Sequence, residues 1–158
     1  MNALKKLFYG FCYAFSGIAY CIKTCRNFRI HTVGAAVVLY LSTFYNFSAV
    51  EYTVLFITIG AVICLECINT ALEEVCNAIT KDFSLAVKRA KDVSAAAVLC
   101  SAVVSVAVAI NLFCDKYVFK EIYNYFSTFP KLVCLSLIIV LAVIYIFYED
   151  IFKHGKKQ

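Results

Sequence analysis

The sequence predicts an all-α membrane protein, with an N-terminal interfacial amphipathic helix, a three-helix transmembrane core and a fourth, C-terminal transmembrane helix. Three observations carry that expectation. Of 158 residues, 63% are hydrophobic and only 16% are charged, whereas a soluble domain carries about a quarter charged residues. A domain of this size buries only about two-thirds of its chain surface, so the apolar excess must face lipid, and disorder is excluded by the same hydrophobicity. Second, the apolar residues gather into four windows near the length of about 20 residues that a helix needs to cross a bilayer. Third, one Pro and five Gly argue against loop-rich β architectures. The alternation of barrel strands is absent, and backbone groups in lipid must be satisfied internally, which favours helices. One compact membrane domain is the economical reading.

Residues 1–30 place Lys5 and Lys6 before Phe8, Tyr9, Phe11, Tyr13, Phe15 and Tyr20, and end on Lys23, Arg26 and Arg29. No A-x-A-like cleavage site follows, and the stretch is too aromatic for a secretory apolar core. It reads as a helix in the headgroup layer, anchored by Tyr and Phe. The first crossing is expected over Thr32–Val50 and the second over Tyr52–Ile79, interrupted by Glu66, Glu73 and Glu74. The third spans about 91–114, with an uncharged stretch from Val93 to Cys114, and the fourth runs from Leu132 to Tyr148. Small residues four apart on the third helix (Ala97, Ser101, Ser105, Ala109) permit close helix approach in lipid.

Charge placement sets orientation. Twelve of the Lys and Arg residues fall in the N-terminal segment, the link after the second crossing (Lys81, Lys88, Arg89, Lys91) and the tail (Lys153, Lys156, Lys157). Only Lys116, Lys120 and Lys131 fall on the other side. The positive-inside rule then makes both termini cytoplasmic, with loops near Asn46–Glu51 and Asp115–Lys131 facing out. No basic run exceeds two residues, so nucleic acid is a poor partner. The nine Cys cannot all pair internally. Most lie in apolar runs and read as reduced packing residues, and Cys64-Leu-Glu-Cys67 has no second pair to complete a metal site.

The informative anomaly lies in the second crossing. At about 100° per residue, Glu66, Asn69, Glu73 and Asn77 share one helix face. A carboxylate within a membrane span is costly and by default marks a functional site facing protein or water. Two acids on one face need a cation or a proton to coexist. Glu66 lies deeper, where apolar surroundings make a carboxylate a stronger base. Glu73, nearer the headgroups, is placed to hold a hydrated cation, and Mg²⁺ takes one or two carboxylates with phosphate oxygens and water. Lys88, Arg89 and Lys91 at the mouth of the third helix supply cations for a polyphosphate, with Asp92 beside them.

Three blocks now stand in order: Arg26-Asn27-Phe28-Arg29-Ile30-His31, Glu66-x-x-Asn69-Thr70-Ala71-x-Glu73, and Ala90-Lys91-Asp92-Val93-x-Ala95-x-Ala97-Val98. Their order and spacing resemble the prokaryotic integral-membrane diacylglycerol kinase and undecaprenol kinase family over roughly residues 4–114, and the first block resembles its Gram-positive branch. The resemblance implies a kinase of the bacterial plasma membrane that moves the γ-phosphate of ATP, with Mg²⁺, to the hydroxyl of diacylglycerol or undecaprenol. It implies a homotrimer with active sites shared between subunits.

By that resemblance Glu66 is the general base beside the lipid hydroxyl, Glu73 a metal-binding residue and Asn69 a member of the same site. Lys91 and Asp92 match nucleotide-binding positions, as do Lys6, Tyr13, Asp82, Phe83 and Ser84, and Arg29 matches the region admitting the lipid. Cys25 occupies the second metal position, where the family usually has Glu, and a thiol is a poor Mg²⁺ ligand. Asn77 stands where Asp is usual. Residues 1–114 form the lipid-kinase-like domain and 115–158 an extension with the extra helix and a basic tail. Phosphoryl transfer needs chiefly positioning and charge neutralisation, and no phosphate-binding loop or protein-kinase signature is present. The alternative is a non-catalytic relative acting as a scaffold, or a small transporter using the acidic stripe. Transporters show repeats or Gly/Pro-broken helices, whereas Gly34 and Gly60 stand isolated.

Overall fold

The computed structural model describes residues 2–80 and 82–148; Lys81 and the tail lysines 153, 156 and 157 lie outside them. The described residues form six helices in sequence and no strands. Helix α1 covers Ala3–Thr24, and α2 follows at once over Arg26–Ser42. The long helices α3 and α4 cover Ala49–Ile79 and Leu85–Phe113. The extension adds α5, Lys116–Phe126, and α6, Phe129–Ile146. By length and composition α3, α4 and α6 are long and apolar enough to cross a membrane.

Two boundaries differ from the sequence expectation. The helix at the expected first crossing does not run to Val50: α2 stops at Ser42 after 17 residues, about 25 Å of helix, and is not among the three helices long and apolar enough to span. The cause is the next helix start. Ser48 and Glu51 form a capping box, with Glu51 Oε2 accepting from the Ser48 amide at 2.7 Å and the Ser48 hydroxyl accepting from the Glu51 amide at 3.3 Å. That satisfies two N–H groups that a helix start otherwise leaves orphaned. The second difference is α5, in the stretch expected as a loop. Asp115 caps it by accepting from the Tyr117 amide at 2.8 Å, and Tyr125 and Phe126 turn inward onto Tyr40 of α2 and Phe44 just after it.

The core is narrow. Phe28, Leu55, Val62 and Val98 are buried apolar residues, while Arg29, Ser42, Glu66, Asn69, Thr70 and Ser94 are buried polar ones. Polar contacts fix the packing: Asn69 meets Ser94 and Asn77 meets Lys91, so α3 and α4 run antiparallel. Cys25 meets Thr70 and Ser42 meets Tyr52, so α2 runs antiparallel to α3. At the end of the bundle away from Glu66, Tyr45, Phe47 and Phe113 interlock edge-on. There the Tyr45 hydroxyl donates to the Phe113 carbonyl at 2.9 Å. All nine cysteines are free thiols. The small-residue ridge of α4 is half-buried at Ser101, Ser105 and Ala109, while Ala97 is exposed.

Candidate functional site

Helix α3 explains why acids can sit where they do. Its 31 residues give about 46 Å of helix, against a hydrocarbon core of about 30 Å. The helix is thus longer than that core, and Glu73 and Asn77 stand nearer its C-terminal end than Glu66 does.

Glu66 is 2% exposed, and among the described residues its Oε2 meets no hydrogen-bond donor. A buried carboxylate oxygen left unpaired is expensive, and each such group calls for an explanation in chemistry or a missing partner. It borders a cavity of about 310 Å³ lined by Thr24, Cys25, Arg26, Asn27, Arg29, Glu66, Asn69, Thr70 and Glu73. The cavity forms because α1 ends at Thr24 and α2 starts at Arg26, a break that aims the Thr24–Asn27 corner at the polar face of α3. Cys25 Sγ lies 3.2 Å from Thr70 Oγ1 in that corner. The thiol thus hydrogen-bonds with the Thr70 hydroxyl at the edge of the cavity.

Asn69 organises the α3 side. Its Oδ1 accepts from Ser94 Oγ at 2.6 Å, and its Nδ2 donates to Glu73 Oε1 at 3.3 Å. Ser94, which sequence reasoning did not single out, is therefore part of the site. Its one signal was position, three residues after Lys91 on the inward side of α4. Arg29 borders the same cavity, is 2% exposed, and directs its donors to the main chain. Nη1 donates to the carbonyls of Ile22 and Lys23 at 2.9 and 3.1 Å, and Nε to Ile146 at 3.0 Å. These carbonyls end α1 and α6, where helices leave acceptors unsatisfied and favour a cation.

A second, open cleft of about 530 Å³ lies one turn beyond. Asn77, Thr80, Asp82, Phe83, Ser84, Val87, Lys88, Lys91 and Asp92 line it. The short α3–α4 link brings these residues together. The Asp82 amide donates to Thr80 Oγ1 at 3.0 Å, and Lys91 Nζ donates to Asn77 Oδ1 at 2.7 Å. Phe83 is 83% exposed, an aromatic face available for stacking. The two openings share the α3 stripe, since Glu73 and Asn77 are one turn apart.

Lys6 and Tyr13 line neither opening. Cys21 is the buried residue of α1, whereas Tyr13 is 74% exposed and lies about 18 Å along the helix from Cys25. Near its other end α1 carries Tyr20, whose phenol is pushed above its usual range chiefly by the nearby Glu74 carboxylate. Glu73 and Glu74 thus face different ways: one lines the cavity, the other lies beside Tyr20 of α1.

Among the described residues no three His, Cys, Asp or Glu side chains converge to bind a metal. The oxygen donors present at the cavity, above all the Glu73 carboxylate, fit a cation that takes most of its ligands from phosphate and water.

Residues 12–113 match the sequence model described as "Prokaryotic diacylglycerol kinase". The chain is 35% identical over 115 residues to a protein named undecaprenol kinase from Bacillus subtilis (strain 168), covering 73% of this chain and 94% of that one. It is 38% identical over 103 residues to one named diacylglycerol kinase from Synechocystis sp. (strain ATCC 27184 / PCC 6803 / Kazusa), covering 65% of this chain and 59% of that one.

Proposed function

The chain belongs to the prokaryotic diacylglycerol kinase family, and from that premise we propose that it is a membrane lipid kinase transferring the γ-phosphate of ATP to the hydroxyl of a lipid alcohol, either diacylglycerol or undecaprenol. The observation that carries the reading is Glu66: a buried carboxylate with an unpaired oxygen, on a helix long and apolar enough to cross a membrane, bordering a polar cavity. An acid held there without a donor is a proton acceptor waiting for one. Glu66 takes the hydroxyl proton of the lipid as its oxygen attacks the γ-phosphorus, and ADP leaves.

Residues 1–114 supply this chemistry and 115–158 are the appended part. The nucleotide enters the open cleft, where Phe83 offers a stacking face, Asp82 and Ser84 offer hydrogen bonds, and Lys88 and Lys91 offer charge. Asp92 stands beside them. From there the phosphates point along the α3 stripe towards Glu73, held in place by Asn69. Bound Mg²⁺ would neutralise phosphate charge, with Glu73 as its protein carboxylate and Cys25 beside it. Arg29 borders the side from which the lipid arrives. Lys6 and Tyr13, far from the cavity of their own chain, reach a site only if another copy brings them there, which accords with a homotrimer sharing its sites. The protein sits in the bacterial plasma membrane with both termini cytoplasmic.

The test is direct. Purified protein in detergent receives labelled ATP, Mg²⁺ and either dioleoylglycerol or undecaprenol. Labelled phospholipid is the expected product; ATP consumption with no labelled lipid, or no turnover with either alcohol, overturns the reading in favour of a scaffold.

A further inference from the structure

An open apolar groove of about 980 Å³ runs between α2 and the α5–α6 hairpin, of which only the hairpin lies outside the span that matches the family. Val33, Ala36 and Tyr40 form its α2 wall, and Leu135, Ile138 and Ala142 its α6 wall. Lys131 lies near one end of it on α6 and Tyr145 marks the other, about 21 Å apart along the helix. Such a length covers about two-thirds of a hydrocarbon core, so an apolar chain lies in it when the protein is in a bilayer.

The groove has a defined end. Val33 follows Arg29 by one turn of α2, and Tyr145 precedes Ile146, whose carbonyl accepts from Arg29 Nε at 3.0 Å. The Arg26 guanidinium lies 5.9 Å from the centre of the Phe147 ring. Both arginines also line the polar cavity with Glu66 and Glu73. The apolar groove therefore ends within about one helical turn of the two arginines that line the polar cavity.

We propose that this groove holds the hydrocarbon tail of the lipid alcohol whose hydroxyl meets Glu66, making α6 the element that selects acceptor chain length; the proposal rests on the kinase reading for its substrate. Bulk lipid or a second copy would cover any apolar face. Neither requires the groove to abut the two arginines beside a buried acid, whereas a molecule with a reactive polar head and a long tail requires just that continuity.

Two measurements on the full chain decide it. In nanodiscs, a polyprenol carrying a mid-tail diazirine should label Leu135, Ile138 or Ala142, and excess unlabelled undecaprenol should displace it while excess phosphatidylglycerol does not. Label spread evenly around α6, including the outward Ile139, or label that undecaprenol fails to displace, overturns the proposal. So do crosslinks between copies through α6 in place of lipid adducts. This arm does not depend on turnover, so a wild type that transfers no phosphate sinks the kinase reading while labelling still judges the groove.

In the active protein, Ala142→Trp should raise KM about tenfold for the long acceptor, the scale of overpacking a closed apolar contact. KM for a short acceptor (farnesol or dihexanoylglycerol) and for ATP should stay unchanged. Ile139→Trp, the same bulk on the other side of α6, should change none of them. Equal shifts for long and short acceptors, or no shift, overturn the assignment.

Discussion

Ser94 Oγ donates to Asn69 Oδ1 across the α3–α4 interface at 2.6 Å, between two buried residues. This bond fixes which way the Asn69 amide points, and so directs its Nδ2 towards Glu73. Ser94 is a positioning residue: Ser94→Ala leaves Asn69 free to turn away from Glu73, to which its Nδ2 donates. The expected outcome is a fall in kcat of about tenfold, the order of one lost hydrogen bond to a charged group, with KM for ATP little changed. Ser94→Thr, which keeps the hydroxyl, should restore most of the rate. A variant whose kcat and KM fall together with its thermal stability would mark Ser94 as packing only.

Glu66→Gln keeps size and hydrogen-bonding surface while removing the proton acceptor. General-base catalysis contributes about 10²–10⁴ in rate, so labelled lipid should drop by that factor. Nucleotide affinity, read by equilibrium binding, should hold, because the open cleft lies about 16 Å or more along α3 from Glu66. The variant should also be no less stable than wild type, since a buried unpaired carboxylate is a cost to the fold. Retained lipid phosphorylation would remove Glu66 from the proposed chemistry.

Cys25 sits in the α1–α2 corner with its sulfur 3.2 Å from Thr70 Oγ1, facing the cavity that Glu73 also lines. Thiols are soft ligands and Mg²⁺ selects oxygen. Cys25→Glu adds a second carboxylate and should lower the Mg²⁺ concentration for half-maximal activity by about tenfold, one decade of affinity. A requirement that stays level or rises would show that the corner does not face the cation.

The helical membrane fold was legible because composition and hydropathy act over long windows, where single residues matter little. Glu66, Asn69 and Glu73 were legible as a face because helical periodicity alone relates them. What stayed hidden depends on contacts between distant segments. The α2 terminus was obscured because apolar residues continue through the loop, and the capping box at Ser48 and Glu51 decides the boundary. Helix α5 was obscured because its aromatic side is stabilised by Tyr40 and Phe44, some 80 residues earlier. Ser94 carries no signal until α3 and α4 are paired. Arg29 read as a lipid-entry residue, and no pattern in one strip of sequence announces that it also binds the end of a helix 117 residues away.

That Arg29 contact gives the stability prediction. Its guanidinium holds three carbonyls from two helix ends, and is itself nearly inaccessible to solvent. Arg29→Ala removes the donors and leaves those acceptors unpaired, at a cost on the order of 3 kcal/mol. For a chain of this length, such a loss corresponds to a fall in Tm of about 5–10 °C, measurable by thermal unfolding in detergent. Arg29→Lys should recover only part of it, because an ammonium is a point donor and cannot reproduce the planar fork that reaches α1 and α6 together. If α6 depends on that fork, both variants should also loosen it, so that Cys134, already exposed on α6, reacts faster with a bulky maleimide while Cys100 on α4 does not. Unchanged Tm and unchanged Cys134 reactivity in Arg29→Ala would mean that α6 holds its place without the arginine.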